Sequence, residues 1–226
     1  MTPNDRVMST RARTTTTSVV STNKVLRNTY ALLSMTLLFS GLTAGAAIMS
    51  NAPPMNPLLV LVGYFGLLFL TQAVRNSVWG LPSVFALTGF MGYTLGPIIN
   101  LYLGLPNGSS TVMTALGGTG VIFLGLSAYV LTSRKDFSWM GGMLMVGILT
   151  AFVLGIGAMI FNLPGLSLAV SALFILLMSG LIMYQTSEII HGGETNYIMA
   201  TVTLFVSIYN LFLSLLQILG IFGGDE

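Results

Sequence analysis

Five polar side chains recur along the last apolar stretch of the chain. Thr203, Ser207, Asn210, Ser214 and Gln217 follow one another at spacings of four, three, four and three. That is a helical period, and it places all five on one stripe with Leu, Phe and Val on the other faces. At 1.5 Å per residue the stripe is about 21 Å long. Polar groups avoid lipid, so the stripe is expected to face the interior of a bundle. Two chemistries suit it: hydrogen bonds to neighbouring helices, worth ~0.6 kcal/mol each, or the lining of a hydrated path. An ion path is ordinarily marked by an ionisable residue. The stripe has none, which favours the first reading and leaves Ser207, Asn210 and Ser214 as candidate pore or latch positions.

Just upstream runs Tyr184-Gln185-Thr186-Ser187-Glu188-Ile189-Ile190-His191-Gly192-Gly193. Glu188 is the acidic residue closest to a hydrophobic span, and Gln185, three residues earlier, shares its helical face. Inside the membrane Glu188 would be costly and therefore a functional candidate; beyond the helix end it would be a solvated carboxylate. Both readings stand. His191 is the sole histidine. Histidine is the residue type that gains a proton near neutral pH, so His191 is the candidate pH sensor in the loop after this span. A metal site needs three or four ligands, and none is expected. There is no cysteine, hence no disulfide, thiolate ligand or cysteine nucleophile. No Ser/His/Asp set, phosphate-binding loop or HExxH motif is present. Neither an enzymatic activity, a catalytic residue, a cofactor nor a nucleic-acid partner is expected.

The elements that must position these residues follow from composition. Of 226 residues 54% are hydrophobic and 6% charged, with mean hydropathy +0.88. A soluble domain carries roughly 25% charged residues, so the solvent that fits this chain is a bilayer. The 26 glycines suit close helix packing in lipid, and Gly41-x-x-x-Gly45 and Gly92-x-x-x-Gly96 are candidate contact motifs. Residues 1–23 are polar, rich in Thr and Ser, and predict a disordered tail. A transmembrane domain over residues 24–226 follows. Its apolar runs have the ~20-residue length that spans the hydrocarbon core. They fall near 28–49, 57–74, 81–102, 111–132, 139–162, 166–187 and 197–219. Turn chemistry such as Ala52-Pro53-Pro54 and Leu105-Pro106-Asn107-Gly108 separates them. The first run is longer than the ~7–15-residue apolar region of a secretory signal, and it is expected to stay as a span.

With seven spans, every Lys and Arg lies on the side of the tail: Arg6, Arg11, Arg13, Lys24, Arg27, Arg75, Arg134 and Lys135. The opposite side carries only Asp225 and Glu226. Lys and Arg mark the cytoplasmic face, which predicts a cytosolic N-terminus and a periplasmic C-terminus.

Several segments resemble the Bax-inhibitor-one (transmembrane Bax inhibitor motif) family. They are Ser21-Thr22-Asn23-Lys24-Val25-Leu26-Arg27-Asn28-Thr29-Tyr30, Phe90-Met91-Gly92-Tyr93-Thr94-Leu95-Gly96-Pro97-Ile98 and Ser127-Ala128-Tyr129-Val130-Leu131-Thr132-Ser133-Arg134-Lys135-Asp136. Ile189-Ile190-His191-Gly192-Gly193-Glu194-Thr195-Asn196-Tyr197 and Tyr209-Asn210-Leu211-Phe212 complete the match, which covers about residues 20 to 220. The resemblance implies an all-α polytopic membrane protein, a seven-helix bundle with the seventh helix central. It further implies the bacterial inner membrane. The bacterial members that this chain most resembles are associated with the AAA membrane protease FtsH and its membrane accessory complex, as substrate and modulator.

The alternative implied function is a pH-sensitive calcium or other cation leak, which in the family rests on two Asp residues. Those positions map here to Gln185 and Ser207. Two close carboxylates share a proton because they resist joint ionisation, and Gln and Ser cannot do this. The protease reading is the expectation, with a third reading of a stress-survival factor acting through another protein contact.

Overall fold

The computed structural model describes the backbone of residues 3–222 and the side chains of residues 24–221. Seven helices follow in order: α1 (Pro3–Met49), α2 (Pro57–Val74), α3 (Gly80–Leu103), α4 (Gly108–Ser133), α5 (Gly141–Ile160), α6 (Pro164–His191) and α7 (Tyr197–Phe222). A 3-10 turn, Ser138–Met140, leads into α5. No strand occurs among the described residues. Each helix contains a segment long and apolar enough to cross a membrane, which in α1 is Lys24–Met49. The expected tail over residues 1–23 lies outside the residues whose side chains are described.

Local chemistry sets the helix ends. Pro57 opens α2 behind Asn56, whose side chain accepts from Leu58 N–H at 2.9 Å, and Pro164 opens α6. Asn51, Asn107 and Asn162 take left-handed backbone conformations at the turns after α1, α3 and α5, a region that Asn tolerates better than most residues. α6 extends past the expected end near 187. Gly192, at φ 80°, closes it: its N–H donates to the Ile189 carbonyl and that of Gly193 to the Glu188 carbonyl at 2.9 Å. This Schellman geometry puts Glu188 and His191 in the last turn of the helix, correcting the placement of His191 in a loop.

The distribution of polarity is that of a protein dissolved in lipid. Thr29, Thr36, Thr88, Thr119, Ser127 and Ser207 are buried, while Leu38, Leu42, Leu59 and Val121 are exposed. α3 packs along α1. A Cβ on Gly92 would overlap the Ser40 carbonyl and the Thr43 hydroxyl, and one on Gly96 would meet Ala47 and the Ala44 carbonyl at 2.8 Å. Gly92-x-x-x-Gly96 is therefore a working contact motif. Gly41 and Gly45 are not: a Cβ at either meets nothing within 4 Å. The surface that α1 offers to α3 is instead Ser40, Ala44 and Ala47, all buried.

α7 is the central element. No residue from Tyr197 to Gly220 is exposed, and it packs against α1, α3, α4 and α6. Its Leu204, Phe205 and Leu211 join Leu33, Leu87 and Ile182 in the main core. α2 packs chiefly on α3 and α5 on α6. These two peripheral helices stand across a cavity from one another, joined by the edge-to-face pair Phe65–Phe152 at 6.0 Å between ring centres.

Candidate functional site: the junction of α6 and α7

Three residues of the polar stripe can be traced to their partners. Ser207 is fully buried, and its hydroxyl donates to the Thr203 carbonyl at 2.8 Å, one turn back on its own helix. Asn210 does the same with Nδ2 to the Val206 carbonyl at 2.8 Å. Ser214 is buried. Among the described residues, Gln217 is the one stripe residue that bonds to another helix: Oε1 accepts from the Ser171 hydroxyl at 2.7 Å, and Nε2 donates to the Ser167 hydroxyl at 2.6 Å. The stripe thus faces inward as its period requires; two of its hydrogen bonds, from Ser207 and Asn210, stay inside α7 and two, both at Gln217, reach α6. The backbone supplies the reason that Ser207 and Asn210 bond within their own helix. A helical Ser or Asn always has the carbonyl four residues back within reach, whereas a partner on another helix must happen to be level with it.

Gln185 is 5% exposed, and its Nε2 has no hydrogen-bond partner among the described residues. The same holds for Thr29 Oγ1 and Ser127 Oγ. These groups sit near one level of the bundle. Tyr30, next to Thr29, reaches the Thr186 hydroxyl beside Gln185 at 3.4 Å, and its ring lies 6.1 Å from that of Phe123, one turn from Ser127. Buried polar groups without partners are uncommon and expensive. Glu188 is half-buried in the last turn of α6, with its carboxylate against Gly193.

His191 belongs to a clasp. Its Nε2 lies 3.2 Å from the Arg134 carbonyl, and its Nδ1 lies 2.9 Å from the Ser187 carbonyl and 3.2 Å from the Ser187 hydroxyl. Ser187, fully buried, also accepts from the Phe137 backbone N–H at 2.9 Å. The ring and the hydroxyl together fasten the α4–α5 connection to the end of α6. Arg134 takes a left-handed conformation at the end of α4, φ 51°, which turns its carbonyl toward the imidazole. Sequence reading singled out His191 but missed Ser187, although Ser-x-x-x-His is a one-turn spacing that brings the two side chains together. Asn196 was missed as well. Its Oδ1 caps α7 by accepting from Ile198 and Met199 N–H at 3.0 and 3.1 Å. Its Nδ2 donates to Asn76 at 2.8 Å and to the Arg75 carbonyl at 3.3 Å. An Asn directly before an apolar helical run is the available signal for such a cap.

The connections α2–α3, α4–α5 and α6–α7 are in this way tied to one another at one end of the bundle. Beside the clasp, Asp136 accepts from both the side chain and the backbone N–H of Ser138, which holds its carboxyl below the usual carboxylate range. No group of three or more His, Cys, Asp or Glu placed to hold a metal ion occurs among the described residues.

Comparison with known proteins gives the site a context. A family described as inhibitor of apoptosis-promoting Bax1 matches residues 22–224. An uncharacterized protein of Pseudomonas aeruginosa is 58% identical over 89% of this chain and 91% of its own. The Escherichia coli K12 protein named modulator of FtsH protease YccA is 54% identical over 92% of this chain and 95% of its own. The counterpart in Escherichia coli O6:H1, at the same identity and coverage, is named inner membrane protein YccA.

Proposed function

Because the chain belongs to the family of the inhibitor of apoptosis-promoting Bax1, we propose that it is an inner-membrane modulator of the FtsH protease, acting both as its substrate and as its inhibitor. The observation that carries this reading is the 54% identity, over 92% of the chain, to the protein named modulator of FtsH protease YccA. In the proposed orientation the N-terminal tail and the clasped end of the bundle face the cytosol. All eight Lys and Arg lie on that side.

The physical basis of the modulation is a contrast between grip and load. An ATP-driven protease that extracts membrane proteins needs a polar cytosolic end to hold, and residues 1–23 supply one. Behind it stands a bundle whose first span packs against α3, α6 and α7. Pulling on the tail therefore works against the centre of the molecule rather than its rim, and an enzyme occupied in this way is withheld from other substrates.

A proton-gated cation leak finds less support. The two positions that would carry the carboxylate pair are Gln185 and Ser207, and the Ser207 hydroxyl donates within its own helix.

The test is the degradation rate of a membrane substrate by purified FtsH in liposomes, with this protein present full-length or lacking residues 2–20. Slower degradation that depends on the tail is the expected result. Unchanged degradation with both forms would remove the protease reading.

A further inference from the structure

The cavity between α2 and α5 shares with the site above only Asn210 of the polar stripe. Its volume is about 700 Å³, and it runs inward from Pro54, Met55 and Pro57, at the α1–α2 connection, to Met91, Met178 and Val206 deep in the bundle. Its lining is apolar except for a belt formed by Tyr64, Thr94, Tyr209 and Asn210. Within that belt the Thr94 hydroxyl donates to the Met91 carbonyl at 2.9 Å, and Asn210 Nδ2 is held by its own helix. Tyr209 bonds to the Thr94 side chain, and Tyr64 brings a second phenolic donor to this wall.

We propose that this cavity binds one fatty acyl chain, with its carbonyl group against the hydroxyl of Tyr64. Three observations select that occupant. The flanking faces of α2 and α5 are lipid-facing: Leu58, Val62 and Val153 are 68%, 62% and 65% exposed. The medium at the gap between the two helices is therefore the interior of the bilayer, whose molecules are acyl chains. At the ~30 Å³ occupied by a water-sized group, the cavity accommodates about twenty non-hydrogen atoms, the size of a common membrane fatty acid. Lastly, a phenol facing an apolar space needs an acceptor, and the carbonyl of a carboxylic acid or ester is an acceptor that arrives attached to an alkyl chain. That chemistry has two sources, a free fatty acid and the acyl ester of a phospholipid in the leaflet on the Pro54 side.

The experiment is photolabelling of the full chain in liposomes. One arm uses a fatty acid bearing a chain-terminal diazirine, and the other a phosphatidylethanolamine with the same chain; labelled peptides are then mapped. In at least one arm the label is expected on Phe90–Met91, Ile148–Phe152 or Met178, and the arm that labels identifies the source. Val60→Trp, which fills the cavity from a peripheral helix, is expected to reduce this labelling about tenfold. The variant Tyr64→Phe preserves the volume and is expected to reduce it several-fold. Its melting temperature in detergent serves as the check that the bundle is intact. Label confined to the outer faces of the helices in both arms, or cavity label equal in wild type and Val60→Trp, would overturn the proposal.

Discussion

The Ser187 hydroxyl stands 3.2 Å from His191 Nδ1 and 3.4 Å from the Lys135 carbonyl, and His191 Nε2 stands 3.2 Å from the Arg134 carbonyl. The clasp therefore depends on the ring nitrogens. His191→Phe is expected to speed amide hydrogen exchange over residues 134–138 several-fold, leaving the middle of α6 unchanged. Ser187→Ala takes away the acceptor of the half-buried Phe137 N–H, at a cost of about 1 kcal/mol, read as a lower melting temperature in detergent. Asp136 contributes a pH dependence of definite sign. Its carboxyl is held below its ordinary value of 3.8 by Ser138, so the folded state binds its proton less tightly than the unfolded one. The resulting stabilisation is full above that value and is lost as pH falls through the lowered one. The stability difference between wild type and Asp136→Asn is therefore expected to shrink on acidification below about pH 4, a small effect because the group is fully exposed.

Glycine geometry makes the sharpest prediction for the helices. Leu at Gly92 or Gly96 must displace the Ser40 or Ala44 carbonyl, and overpacking of that kind costs ~1–3 kcal/mol or more. Leu at Gly41 or Gly45 meets open space and is expected to shift stability by no more than ~0.5 kcal/mol. Thermal melts of the four variants in one detergent separate the two pairs; equal losses would refute the assignment. The same contrast marks how far the sequence could be read. Seven spans were legible because crossing hydrocarbon demands ~20 apolar residues, and turn residues interrupted them where the structure turns. Which face of α1 meets α3 was not, since Gly-x-x-x-Gly has the same spacing whether it meets a helix or lipid. The end of α6 was placed short because Gly192 and Gly193 close the helix only after Glu188 and His191 have joined it. The inwardness of the α7 stripe was legible from its period, whereas its partners depended on which neighbouring side chains stand level with it.

For the whole molecule the orientation is the first quantity to measure. The chain has no cysteine, so Lys135→Cys and Ser109→Cys each give a single thiol, one at either end of α4. With the N-terminus in the cytosol, an impermeant maleimide added to spheroplasts reacts with Cys at 109, and with Cys at 135 only after lysis. The reverse pattern would invert the topology and leave FtsH nothing cytosolic to hold at the N-terminal end. The cavity was the least legible feature of all, because it is built from five helices whose mutual distances no local pattern encodes. The buried state of α7 also bears on how the protein is made. A span with no exposed residue from Tyr197 to Gly220 gains most of its packing surface only once the other helices surround it. As the seventh to leave the ribosome, it arrives when its receptacle already exists. The order of synthesis is thus also the order of closure, and a chain arrested before residue 197 would reach the membrane as an open shell, with Thr29, Ile182 and Leu87 deprived of the helix that covers them.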